Sequence, residues 1–226
     1  MGSNIWINLC LFGSAAMTLA LGIYAYVYSP VKMKKAYRQS LMALARAVET
    51  KDAGSEGHGE RVASYCVAVA REMNLSNREI DKIEYAAFLQ DLGNVRVSHS
   101  ILNKAGSLTL EEFETLKQHT LMGAEIVSQV KFLKPIAPII RHHHEGWDGS
   151  GYPDGLKGTD IPLGSRILAV CTAYDSMVHA RAYRGQMDET SAIQEIQAYS
   201  GRKYDPDVVK TFLKVLKVRQ RIEEET

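Results

Sequence analysis

The sequence predicts an all-α protein with one N-terminal transmembrane helix, and three observations carry that expectation. No segment alternates apolar and polar residues with the period of two that a half-buried strand requires. Amphipathic stretches at helical spacing recur from Met33 onward, separated by capping and turn residues. From Ile5 to Tyr28 no charged residue occurs, which is enough helix to cross a hydrocarbon core of about 30 Å.

The apolar run sets the expected topology. Lys32, Lys34, Lys35 and Arg38 follow it, and no Lys or Arg precedes it. By the positive-inside rule the rest of the chain is cytoplasmic and the short N-terminus faces outward. A secretory signal peptide would carry its basic residues first and a small-residue cleavage site afterwards. Trp6 at one end and Tyr24, Tyr26 and Tyr28 at the other suit the two membrane interfaces. A buried hydrophobic helix is the competing reading. The expected divisions are an anchor over 1–30, a juxtamembrane helix and linker over 31–48, one domain over 49–218 and a charged tail over 219–226.

A chain of 226 residues can bury one sizeable core beyond such an anchor. Its formal net charge of +1 argues against a broad nucleic-acid surface but leaves room for a local basic pocket. Cys10, Cys66 and Cys171 are odd in number and lack CxxC spacing. They read as small buried hydrophobes in a reducing compartment, with no disulfide framework.

The helices follow in order. Met33 to Thr50 carries an apolar stripe through Tyr37, Leu41, Leu44 and Val48, and Arg61 to Met73 repeats the pattern. Ser76 with Glu79 makes a capping box for a helix to about Leu92, and Thr109 with Glu112 makes another for a helix to about Val130. Pro135 and Pro138 bracket the start of a short helix. Gly164 to about Met177 forms the next, Asp188 begins another, and Asp205 with Pro206 caps the last. The stretches Asn94 to Ser107 and Glu145 to Leu163 read as long loops.

Chemistry concentrates on histidine. His142, His143 and His144 are consecutive and precede Glu145 and a glycine-rich turn. Successive helical residues point about 100° apart, so all three cannot converge from a regular helix, but two can where a helix ends. Asp91 closes the apolar helix YAAFLQDLG, and His119 lies one turn before Gly123, where a small residue admits a close neighbour. Together they offer three imidazoles and one carboxylate, a plausible set for one metal ion with open positions. His58, between two glycines, reads as an N-cap or surface residue; His99 and His179 read as solvated.

At this point the chain resembles the HD-GYP family, a branch of the HD-domain phosphohydrolases that degrades cyclic di-GMP. The resemblance runs from about Ala45 to Phe212 and is most specific in HHEGWDGSGYPDGLKG followed by IPLGSRILAV. GHGERVA, HTLMGAEIV, RAYR and GRKYDPDVV support it. The resemblance implies an HD-domain helical bundle and metal ligands at Asp91, His119, His143 and His144, with Glu49 as an outer ligand. It also implies a catalytic role for Asp91 and substrate contacts from Tyr152, Arg181 and Arg184.

The chain departs from the family at three positions. The signature histidine, the lysine three residues after the aspartate, and one aspartate ligand are replaced by Gln90, Asn94 and Thr172. The second ion would rest on the lost histidine and aspartate together with Asp91. The resemblance therefore implies one divalent ion (iron, manganese or similar) rather than two or three, and lost or weak hydrolysis. The expected function is a binding or scaffolding module in cyclic di-GMP signalling, anchored in the bacterial inner membrane. It would meet cyclic di-GMP and diguanylate-cyclase (GGDEF) domains, the latter through the GYP loop, with a homodimer left open. The alternatives are an active phosphodiesterase with an altered metal site and a purely structural membrane protein.

Overall fold

A computed structural model of the chain describes residues 3–52, 55–179 and 186–224. It divides into two compact units, Met1–Ser40 and Leu41–Thr226. In the first, α1 (Ser3–Ile23) is followed by a π-helical turn (Tyr24–Tyr28) and by the start of α2 (Ser29–Glu49). Leu11, Phe12, Leu19 and Leu21 are exposed. By length and composition this stretch can cross a membrane.

Every regular element among the described residues of the second unit is helical, with one isolated bridge between Ser200 and Tyr204. After the end of α2 come α3 (His58–Glu72), α4 (Asn77–Leu89), the short α5 (His99–Leu102) and α6 (Leu110–Ser128). They are followed by α7 (Ala137–Arg141), α8 (Leu163–Val178), α9 (Glu189–Ala198) and α10 (Pro206–Glu224). Val62, Cys66 and Val69 of α3 join Ile83 and Ala87 of α4, Ile167 and Tyr174 of α8, and Phe212 of α10 in the core. Tyr65, Tyr174 and Phe212 meet edge to face, with ring centroids 5.1 to 6.0 Å apart. Cys66 and Cys171 are buried free thiols.

Local chemistry starts the helices where the sequence indicates. Both capping boxes form, Ser76 with Glu79 and Thr109 with Glu112. The Asp188 carboxylate accepts the Ser191 amide at 2.9 Å, and Asp205 accepts that of Asp207 at 2.8 Å.

The end of α4 differs from expectation. The helix stops at Leu89, and a 3-10 turn occupies Leu92–Arg96. Gly93 gives the reason: a β-carbon there would lie 1.9 Å from the His119 carbonyl oxygen, so only glycine lets this turn press against α6. The expected loop from Asn94 to Ser107 is likewise partly helical. The Lys51 ammonium gathers the carbonyls of Asn94 (3.0 Å), Val95 (2.9 Å) and Val97 and fixes the turn from its exposed end.

Candidate metal centre

His119 sits on α6 and is 3 % exposed. Its Nδ1–H donates to the Leu116 carbonyl at 2.7 Å, which leaves Nε2 buried with no hydrogen-bond partner. His143 repeats the arrangement, with Nδ1 on the Ile140 carbonyl at 2.6 Å. A backbone carbonyl on one ring nitrogen fixes the tautomer and frees the other nitrogen as a ligand.

The chain leaves helical geometry at His142, just after α7, and this lets two consecutive rings converge. The His143 and His144 rings lie 4.1 Å apart, and His119 lies 5.4 and 5.1 Å from them. All three offer nitrogens within 4.8 Å of one another. Burial, and then the neighbouring His119, lower the His143 pKa to about 4, which keeps that ring in its neutral, metal-binding form. An orphaned buried nitrogen among three imidazoles fits a borderline divalent ion.

The other expected site residues are distributed unevenly. Asp91 lines the same cavity and accepts from the Asn94 amide at 3.1 Å, but it is not among the three groups within 4.8 Å. The Glu49 carboxylate is committed elsewhere: it accepts the backbone amides of Gly57 at 2.9 Å and Gly59 at 2.7 Å. There it caps α3, where an anion complements the helix dipole. Tyr152 stacks on His144 at 4.9 Å, and burial followed by the Asp91 charge raises its phenol pKa. Arg181 and Arg184 lie outside the described residues.

Two of the positions expected to depart from the family, Gln90 and Thr172, bond to one another. The Thr172 hydroxyl donates to Gln90 Oε1 at 2.7 Å, and the Gln90 amide reaches His58 Nε2 at 3.2 Å. His58 Nδ1 in turn meets Asp175 at 2.6 Å, and Arg61 holds the same carboxylate at 2.8 and 3.1 Å. Burial alone would raise the Asp175 pKa. Hydrogen bonds and charge from His58 and Arg61 outweigh it and hold the carboxyl below its usual range.

His58 is thus not a surface cap; it is 3 % exposed and central to this chain. Sequence reasoning missed it because its partners lie 32 and 117 residues away. The available signal was Asp175, a carboxylate inside an apolar helix that needs a buried partner. His179, read as solvated, donates from Nδ1 to the Asp175 backbone carbonyl at 3.1 Å.

The GYP loop closes one side of the centre. Gly151 has no room for a β-carbon, which would lie 2.1 Å from the Gly146 nitrogen, and the Tyr152–Pro153 peptide is cis. Asp154 is tied back by Arg141 (2.8 Å, two bonds) and His142 (2.9 Å), and Arg141 followed by His142 holds its pKa down to about 2.

Two cavities flank the imidazoles. One of about 360 Å³ has an apolar wall of Ile101, Leu102, Leu108 and Leu116. The other, about 500 Å³, is bordered by Lys117, Lys203 and Tyr204. His143, His144, Tyr152 and Thr172 line both.

Comparison with known proteins agrees with this architecture. The HD domain family model matches residues 42–208. A cyclic di-GMP phosphodiesterase of Thermotoga maritima is 42% identical over 75% of this chain and 46% of its own length. A cyclic di-GMP phosphodiesterase response regulator of Xanthomonas campestris is 40% identical over 78% of this chain and 47% of its own. A 3'3'-cGAMP-specific phosphodiesterase of Vibrio cholerae is 34% identical over 81% and 35%. The chain thus spans about half the length of these relatives, or less.

Among solved structures, a cyclic GMP-AMP-specific phosphodiesterase of Vibrio cholerae matches with a TM-score of 0.63 at 20% identity, over 80% of this chain and 48% of that one. An HD-GYP protein of Bdellovibrio bacteriovorus matches at 0.60 and 20%, over 88% and 68%. These likenesses show the shared fold. With the matched family model, the imidazole cluster and the GYP loop in hand, the chain belongs to the HD domain family, as a divergent member of its HD-GYP branch.

Proposed function

We propose that this chain is a membrane-anchored, degenerate HD-GYP module that binds a cyclic dinucleotide around one divalent ion and hydrolyses it weakly or not at all. The observation that carries this reading is the Gln90 side chain, bonded to Thr172 on one side and to His58 on the other. In the family resemblance these positions belong to the second ion. Here they satisfy one another with neutral hydrogen bonds, so nothing in them asks for a cation. Attack on a phosphodiester by a bridging hydroxide needs both ions, and one supplies only part of that stabilisation.

The remaining parts suit binding. His119, His143 and His144, with Asp91 beside them, would hold one ion of the iron or manganese kind. When bound, such an ion supplies polarisation of a phosphate oxygen and of a water molecule. The apolar wall of the smaller cavity suits a nucleobase, and Tyr152 with Arg181 and Arg184 is assigned to substrate contacts. The absence of lysine at Asn94 removes a charge that would balance the scissile phosphate. The apolar N-terminal helix and the basic residues after it support a single-pass anchor in the inner membrane with the domain in the cytoplasm. The intact GYP loop is the surface we assign to GGDEF-domain partners.

A second reading, an active phosphodiesterase with an altered site, is favoured by the activity named for the relatives. The metal-loaded protein separates the two when mixed with cyclic di-GMP. Calorimetry should give saturable binding that weakens in His143→Ala, while chromatography gives no linear dinucleotide. Linear product formed at a metal-dependent rate would establish the second reading instead.

A further inference from the structure

The consecutive histidines serve two sides of the chain. His143 and His144 turn toward His119, whereas His142 and Glu145 meet Asp154 of the GYP loop. We propose that His142, Glu145 and Asp154 form a separate cation site for a borderline divalent ion such as Zn²⁺ or Mn²⁺, which ties the GYP loop to the end of α7. One ligand atom from each residue lies within 4.8 Å of the others.

Donor and acceptor bookkeeping supports a cation there. His142 Nδ1 faces the Pro138 carbonyl at 2.8 Å, and Nε2 faces the Asp154 carboxylate at 2.9 Å. A neutral imidazole has a single N–H and cannot serve two acceptors. With Nδ1–H on the carbonyl, the Nε2 lone pair faces a carboxylate oxygen, and a cation between the two relieves that opposition.

Glu145 points to a metal ion. One of its oxygens accepts the Asp154 amide at 2.8 Å; the other, Oε2, is buried without any partner in a residue that is 4 % exposed. Left so, that oxygen is a buried acceptor whose lost hydrogen bonds to water go uncompensated. A divalent ion would satisfy both.

Charge and access agree. Two carboxylates face one guanidinium, that of Arg141, so acidic groups outnumber basic ones among these three side chains. The two Arg141 bonds occupy only part of the acceptor capacity of the Asp154 carboxylate. Its side chain is 36% exposed, which gives an ion a way in. One nitrogen with two carboxylates suits zinc or manganese better than the all-oxygen shells of calcium or magnesium.

The test uses the full chain in detergent, stripped with a chelator and carrying His119→Ala so that the imidazole centre is disabled. Titration with Zn²⁺ should show one equivalent bound with a dissociation constant of about 10 μM or tighter. Binding should weaken at least about 10-fold in His142→Gln and in Asp154→Asn on that background. If either variant fails to fold, Glu145→Gln on the same background takes its place, and its Zn²⁺ affinity should fall by at least about 10-fold. No binding or melting shift up to roughly 100 μM Zn²⁺ would overturn the proposal. So would unchanged affinity in folded His142→Gln, or nitrogen NMR showing both His142 ring nitrogens protonated in the presence of Zn²⁺.

Discussion

Two histidine environments lie against the same cavity and differ in one respect. Around His119 and His143 each ring has one nitrogen held by a backbone carbonyl, and the His119 Nε2 atom has no partner at all. Around His58 both ring nitrogens are engaged, one by Asp175 and the other by Gln90, which Thr172 holds from behind. An imidazole with an open, buried lone pair is prepared for a metal, whereas one inside a completed hydrogen-bond chain is part of the scaffold. Gln90 and Thr172 thus supply the bonds that occupy the free side of His58.

The largest way to disturb this contrast is on the closed side. Asp175→Asn removes the charge that pairs with Arg61 and His58 in the interior. It should lower unfolding stability by about 3–5 kcal/mol, read by chemical denaturation. The pH dependence has a definite sign. The Asp175 pKa lies below its ordinary value, so its contribution is full above about pH 4, the unfolded value. It is lost as pH falls through the lower folded value, and Asp175→Asn should flatten that acid-side loss.

On the open side, His119→Ala should cost one equivalent of bound transition metal relative to the parent, with affinity at that centre reduced at least about 100-fold. Elemental analysis after dialysis reads this, and thermal stability of the metal-free protein should change little. Gly93→Ala tests the packing that brings the 3-10 turn against α6. With backbone in the way of the new methyl group, a loss of about 1–3 kcal/mol is expected in thermal melts. Glu49→Gln sharpens the contrast at smallest scale. It should weaken the cap of α3 by about 1 kcal/mol and leave metal content unchanged, because this carboxylate faces amides and not the imidazoles.

These residues also show how far the sequence could be read. Ser76, Glu79, Thr109 and Glu112 announce their helices because capping is local chemistry between neighbours. His143 and His144 were legible for the same reason: adjacency plus a helix end converges two rings. His119 was marked by the small residue one turn on, Gly123, although nothing in its own segment indicates that Gly93 draws a distant turn across it. His58 escaped because a single histidine beside glycines carries no period, and its role depends on partners on α8 and at the end of α4. Glu49 was assigned by motif position alone, and the direction of its side chain is set by how the chain turns into α3. The early end of α4 has the same origin, a close approach that no local propensity encodes.

The central claim, that the closed hydrogen-bond chain replaces the second half of a hydrolytic centre, meets its most direct test in one rate. Linear dinucleotide formation from cyclic di-GMP is measured for the parent chain and for the variant Gln90→His, Asn94→Lys, Thr172→Asp, at equal metal concentration. The account predicts no product above background from the parent and metal-dependent product from the triple variant. Turnover by the parent chain at a rate that the triple variant does not exceed would contradict it.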